Sequence, residues 1–403
     1  MPSTVPSTAP STAAKRSMTP LYSLMTCSYW MGFAVILGFA SVFLLAKGYT
    51  NSQIGLILAV SGLVSAVLQP TLATYADKPT SIGVKKLVLI CAGLLLLTGL
   101  LLSAFSRSKI MCGLLFGLAI ALLQLLQPLL NAWGIGTVSA GNKLNIGFAR
   151  GLSSLFYAAA SAIIGRLLEK SGVGLLPWLI FVFFLLLGLV AFFFPALHPA
   201  PSAEKAKSIG FFNFCKKYPA YAATLLGCLL IFISHVFLNS FTFQITQAKG
   251  GGSTQMGIAM SLAAVLEVPV LMGFSFLQKK KDARFWFRLS GLFFLLKNLG
   301  TWLAPSIGVF YAVQVFQMGG WAVIAIASIY YINELMDPED LVKGQAYYSM
   351  AYTIANLTAS LLGGRLIDTL GVNAMLIVGT IAAAVGWGIV LIFTAKKKVK
   401  SDD

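Results

Sequence analysis

Apolar residues in this chain fall into long uninterrupted runs separated by short polar connections. A helix needs about 20 mostly apolar residues to cross a bilayer. By that measure the pattern predicts twelve spanning helices, at about 21–46, 52–75, 84–105, 110–133, 148–168, 173–195, 219–248, 254–277, 284–304, 306–333, 344–368 and 372–395. The runs are far longer than the ~10-residue alternating segments of a membrane β-barrel. The expected fold class is therefore an all-α membrane protein with twelve transmembrane helices.

Segment 196–218 is the longest polar connection, and it divides six runs from six. Two short motifs recur across it. GRLLEKSG at 165–172 returns as GRLIDTLG at 364–371, and SQIG at 52–55 returns as TQMG at 254–257, with offsets of 199 and 202 residues. Two matches at nearly one offset predict duplicated, pseudo-symmetric six-helix bundles, a plan that puts a solute site near the bilayer midplane between the halves. The expected organisation is a disordered Pro/Ser/Thr-rich stretch at 1–18, bundles at 19–195 and 219–395, a central loop at 196–218 and a basic tail at 396–403. The first stretch repeats the triplet PST and lacks the apolar core of a signal peptide, and Met18 is a candidate start.

Charge then fixes the orientation. Twenty Lys and Arg residues fall on one side of the predicted spans, among them Lys85, Lys86, Lys143, Lys216, Lys217, Lys279 to Lys281 and Lys343. Five fall on the other: Lys47, Arg107, Lys109, Lys170 and Lys249. Basic loops stay in the cytoplasm. Both termini are therefore expected inside, in a multi-pass protein of the cell membrane. The net charge of +17 is accounted for by topology, and nucleic acid is not needed as a partner. The expected partners are the lipid bilayer and a small-molecule solute, with the protein a monomer.

Composition narrows the chemistry. The chain is 58% hydrophobic and 10% charged, with a mean hydropathy of +0.85. Soluble domains carry about 25% charged residues. Five scattered cysteines and two histidines suggest neither a disulfide framework nor a metal site. No GxxxxGK[ST] loop is present, so ATP has no support as energy source, and no Ser-His-Asp set points to an enzyme. No cofactor is expected beyond a proton gradient.

Glu267 is the single carboxylate deep inside an apolar run, and Lys297 lies inside the next one. Ionisable groups at bilayer depth are costly and mark functional sites. Burial disfavours the charged carboxylate while a nearby ammonium favours it. A solute that engages Lys297 would thus ease protonation of Glu267, coupling solute to proton; a permanent bridge between two helices is the structural alternative. His235 and Asn239 share a helical face, and Asn298, Gln314, Gln317 and Asn356 are mid-segment. Amides suit hydroxyls and nucleobase edges, and they also serve as glue between membrane helices. Gly113/Gly117 and Gly147/Gly151 read as close-packing sites.

At this point the chain resembles the major facilitator superfamily, and within it the lactose-permease-like branch of proton symporters for oligosaccharides and nucleosides. The loop QPTLATYADKPTSIGVKK at 69–86 resembles the superfamily's loop signature, with Ala73 where glycine is usual. The resemblance makes Asp77, Lys78, Lys85 and Lys86 a conformational latch. GFARGLSSLFYAAASAIIGR at 147–166 is similar to the permease segment that binds sugar, which implies Arg150 as a forked donor and Tyr157 as a stacking ring. AVLEVP at 264–269 and LFFLLKNLG at 292–300 resemble the branch's acid and base helices, implying a proton-coupling role for Glu267 and Lys297. In VQVFQMGGW at 313–321, Gln314 matches the branch's glutamine and Gln317 replaces its histidine. The permease's proton-carrying acid is Gly320 here, and Asn131 and Ala132 stand in the region of its sugar-binding acid. The implied function is proton symport of a sugar or nucleoside by alternating access, through Arg150, Tyr157, Asn131, Glu267, Lys297, Gln314, Gln317, Asn239 and His235. The rivals are a proton-driven exporter of organic anions or amphipathic compounds in the same fold, and a membrane sensor that transports nothing.

Overall fold

The computed structural model describes residues 17–76, 82–196 and 210–394. Helices and short connections make up those residues, with no strand among them. This is what lipid imposes, since only a helix satisfies its backbone polar groups within one segment. Among the described residues, ten helices are long and apolar enough to cross a membrane. One of the ten, Pro338–Phe393, breaks at Gly371 (φ 83°, ψ 172°) and is two spans. Ala283–Leu303 completes the set; Arg284, Arg288 and Lys297 lower its apolarity without shortening it.

We number the spans in chain order. Span 1 is Thr19–Phe33, which continues through a π-helical turn at Ala34–Gly38 into Ala40–Ala46. Spans 2 to 6 are Asn51–Ala76, Gly83–Phe105, Lys109–Ser139, Ile146–Ser171 and Leu176–Phe193. A short helix, Phe211–Lys217, precedes span 7, which is Pro219–Ser240 with its extension Thr242–Ala248. Spans 8 and 9 are Ser253–Gln278 and Ala283–Leu303. Span 10 joins Ile307–Val313 to Val323–Leu335 through a π-helical turn at Met318–Ala322. Spans 11 and 12 are residues 341–370 and 372–393.

Buried apolar side chains divide largely with the halves, although Met256 of span 8 joins the first-half cluster. Tyr29, Phe116, Trp133 and Phe184 belong to one cluster, and Phe232, Phe287, Phe294 and Tyr331 to another. The halves meet chiefly where span 2 crosses span 11 and span 5 crosses span 8. The repeated motifs build both crossings. A methyl group on Gly55 would overlap the Ser360 carbonyl, and one on Gly364 would overlap that of Asn51. At the other crossing, Gly165 faces the Ser253 carbonyl and Gly257 that of Ser161. Small residues let membrane helices approach this closely.

The other letters of the motifs also have physical roles. Gln53 Oε1 accepts from Thr50 N at 3.1 Å, and Gln255 Oε1 accepts from Gly252 N at 2.8 Å, so each glutamine reaches back to cap its own helix start. The closing glycines, Gly172 (φ 75°) and Gly371 (φ 83°), end spans 5 and 11 in a backbone region that disfavours side chains. Asp368 reaches across the halves to the start of span 2. Its carboxylate accepts from Asn51 N at 3.1 Å, Asn51 Nδ2 at 2.8 Å and Ser52 N at 2.7 Å. A carboxylate at a helix N-terminus meets unpaired N–H groups and the positive end of the dipole. Ser41 Oγ donates to the Ser240 carbonyl (2.8 Å), and Ser253 Oγ to that of Gly165 (3.0 Å). These bonds between halves gather at one end of the molecule, the sealed end.

Gly113 packs on Tyr49 and Gly117 on Ser61, as expected of a close-packing pair. Gly147 and Gly151 do not follow that expectation. Beside Gly147 stands its own helix cap, Asn145, and a side chain on Gly151 would meet open space.

Opposite the sealed end, Lys217 binds the connection between spans 10 and 11. Its ammonium lies 2.9 Å from Asp337, 3.5 Å from Glu339 and 2.7 Å from the fully buried Asp340. Lys343 reaches Asp340 from the other side at 3.2 Å. These hydrogen bonds, the one to Asp340 first, raise the Lys217 ammonium above its ordinary value, and Lys217 holds the Asp337 carboxyl below its own. Stability from a depressed carboxyl is present above its ordinary value of 3.8 and fades as pH falls through the lowered one. Lys217→Met should therefore lower the unfolding temperature of purified protein by a few degrees at pH 7. It should also flatten the fall of that temperature as pH drops below about 4. An unchanged acid profile would show that the cluster contributes nothing.

Candidate solute-binding site

A cavity of about 430 Å³ lies between the halves. One wall comes from the first half: Trp30, Phe33, Gln124, Gln127, Arg150, Ser154 and Tyr157. The facing wall carries His235, Asn239, Met260, Glu267, Lys297, Thr301, Gln314, Gln317, Trp321, Tyr352 and Asn356.

Glu267 and Lys297 do not face one another as the bare sequence suggests, and no direct ion pair joins them. Gln317 stands between. Lys297 Nζ donates to Gln317 Oε1 at 2.5 Å, and Gln317 Nε2 donates to Glu267 Oε1 at 2.5 Å. The two charges orient the amide, with its oxygen toward the ammonium and its N–H toward the carboxylate. Lys297 and Gln317 are each only 5% exposed, while Glu267 is half-buried at the cavity wall. Pro269, two residues after the acid, supplies no N–H to span 8. Beside Gln317 the wide turn Met318–Ala322 brings span 10 against span 9, where a side chain on Gly319 would overlap the Phe293 ring.

Arg150 lies over the Trp30 ring, its guanidinium carbon 4.0 Å from the ring centre. Tyr157 meets Trp30 edge-on at 6.2 Å, and Phe33 packs against both. An arginine held on an aromatic face keeps its donor fork in one plane. Across the cavity His235 stacks on Trp321, with ring centres 4.6 Å apart and planes at 10°. His235 Nε2 and Asn239 Nδ2 are 2.8 Å apart. Gln314 donates to the Phe310 carbonyl at 3.1 Å. Asn298 lies outside the cavity and ties span 9 to span 7 through Ser234 Oγ at 3.2 Å.

Arg150, Tyr157, Glu267, Lys297, Gln314, Gln317, Asn239 and His235 thus come together around one cavity. Asn131 does not join them. It is exposed, one turn further along span 4, and Gln124 and Gln127 line the cavity in its place. Helical phase was readable there but depth was not, because residues 127 and 131 share a face. The two glutamines were visible as amides three apart in an apolar run. Trp30 and Trp321 left no such signal, being apolar residues in apolar spans.

Of the four residues expected in a latch, Asp77 and Lys78 lie outside the described residues. Lys86 is exposed. Lys85 donates to the Phe192 and Phe194 carbonyls at 2.7 and 2.8 Å, closing the end of span 6. The carboxylates of Asp337, Glu339 and Asp340 converge closely enough to hold a cation, and the Lys217 ammonium is already among them.

Residues 22–378 match the MFS_1-like family. The chain belongs to that family. Membership places it among transporters of the major facilitator superfamily and not among enzymes. Over 380 residues this MFS_1-like chain is 24% identical to a Deinococcus radiodurans protein provisionally named a sugar efflux transporter, covering 90% of this chain and 94% of that one. The crystal structure of the nucleoside transporter NupG superposes with a TM-score of 0.72 at 16% identity, covering 94% of this chain and 98% of that one. An auto-inhibited peptide transporter of the POT family superposes at 0.72 with 11% identity, covering 93% and 95%. At such identities the structures establish a shared fold.

Proposed function

We propose that this protein is a proton-coupled symporter that takes up a small polar solute, a sugar or nucleoside, by alternating access. The observation that carries the reading is the Glu267–Gln317–Lys297 chain on the wall of a cavity between two halves. Amides from both halves supply donors and acceptors for hydroxyls, and Trp30, Tyr157 and Trp321 supply flat apolar faces. In the ionised state Glu267 holds the Gln317 amide, which holds Lys297. A proton on Glu267 removes the charge that orients this chain, freeing Gln317 and Lys297 to meet the solute. Proton and solute then travel together, and no cofactor is required.

The excess of basic residues supports a reading in which the sealed end faces outside and both termini lie in the cytoplasm of a cell-membrane protein. On that orientation the conformation described here is open inward. A monomer suffices, since one chain supplies both halves of the cavity.

The test is flux in proteoliposomes that hold purified protein. An acid-outside gradient should drive accumulation of a sugar or nucleoside, and a protonophore should abolish it. Binding without flux would sink the reading and leave a sensor. Its main rival is export, favoured by the name of the Deinococcus relative. Export predicts that an acid interior in the cell's orientation drives nothing, while an acid exterior expels solute.

A further inference from the structure

We propose that the transported solute carries a negative charge, a carboxylate or phosphate, that seats on Arg150 beside Trp30. The proposal rests on the transporter reading and concerns which member of the polar-solute class fits.

The charge inventory of the cavity is the starting point. Its described lining holds two cations, Arg150 and Lys297, and one carboxylate, Glu267. Glu267 is engaged by Gln317, whose other end holds Lys297. Arg150 has no acidic partner within ion-pair distance among the described residues, where the ion pairs belong to Lys217 and Lys343. Its guanidinium, open to the cavity, instead lies over the Trp30 ring at 4.0 Å, and Trp30 is itself braced by Phe33 and Tyr157. Its guanidinium is always charged and offers a fork that matches a carboxylate or phosphate through two parallel bonds. A low-dielectric cleft with a surplus of one sign concentrates the opposite sign. A neutral sugar would leave that surplus uncompensated.

The charge carried per cycle follows. A neutral solute with one proton moves one positive charge. A singly charged anion with one proton moves none, so its transport is electroneutral and indifferent to membrane voltage.

The probes are glucose, glucuronate and glucose 6-phosphate, with galactose and galacturonate as a second pair. Binding to detergent-purified wild type is read by calorimetry, and currents by electrophysiology on supported proteoliposomes. We expect at least one acidic sugar to bind tenfold or more tighter than its neutral parent, and the ratio to fall below threefold in Arg150→Gln. The carboxylate and phosphate arms show which group is accepted. Uronate transport with its proton should give no steady current. Trp30→Ala, which removes the ring under Arg150, should reduce the preference and serves if Arg150→Gln is not monodisperse. Neutral sugars binding as tightly as acidic ones, a preference that survives in both variants, or no acidic sugar binding at all would each overturn the proposal. Accumulation of neutral sugars in the same proteoliposomes would leave the transporter reading standing while this one falls.

Discussion

Glu267→Gln is expected to abolish accumulation of solute against its gradient while counterflow of labelled for unlabelled solute persists. A pH difference of one unit supplies about 1.4 kcal/mol, enough for about a tenfold accumulation by a carrier that moves one proton per solute. The amide variant keeps the size and much of the hydrogen bonding of the carboxyl but cannot bind and release a proton near neutral pH. Its accumulation ratio should fall to one. Counterflow needs binding and the exchange of halves without net proton movement, so it separates lost coupling from lost folding. Gln317→Leu extends the argument, because it cuts the bridge to Lys297 and leaves the acid in place. If Glu267→Gln still concentrates solute under a pH gradient, the Glu267–Gln317–Lys297 chain is a structural tie and the proton takes another route.

Gly364→Leu should have the second large effect: flux in every mode falls to background and the sealed end is held apart. Even a methyl group at Gly364 overlaps the Asn51 backbone, and the neighbouring contact at Gly55 is equally tight. Backbone cannot give way as the end of a flexible side chain can, so span 11 must retreat from span 2. Asp368 then loses its bonds to Asn51 and Ser52, which hold only while that helix start is within reach. Spin labels at Ala46→Cys and Thr369→Cys should report longer distances in the variant than in its parent. Asp368→Asn, which weakens the cap without bulk, should shift the same distribution part-way. Unchanged distances in Gly364→Leu would mean that the crossing does not govern closure.

Much of this architecture could be read from the sequence because lipid restricts a chain so strongly. Run length sets the spans, including the charged ninth span and the break between the last two near Gly371. The repeated motifs were visible as letters, but their meaning was not. Periodicity within one helix cannot show that Gly165 meets span 8 while Gly364 meets span 2. The site divides in the same way. Glu267 and Lys297 stood out because charge at depth is costly. That Gln317 intervenes depends on side-chain direction and on the approach of spans 9 and 10, which no spacing rule encodes. Trp30 is one aromatic among many in its span, and it acquires a role only because Arg150 lies on it.

The reciprocal crossings described above bear on ancestry. Neither motif meets the copy of itself, nor its companion motif within its own half. GRLLEKSG of the first half grips TQMG of the second, and GRLIDTLG of the second grips SQIG of the first. A six-helix unit with one copy of each motif could make the same two contacts with a second molecule of its kind, as a two-fold interface requires. The seal is therefore the kind of joint that a homodimer could possess before its two genes fused.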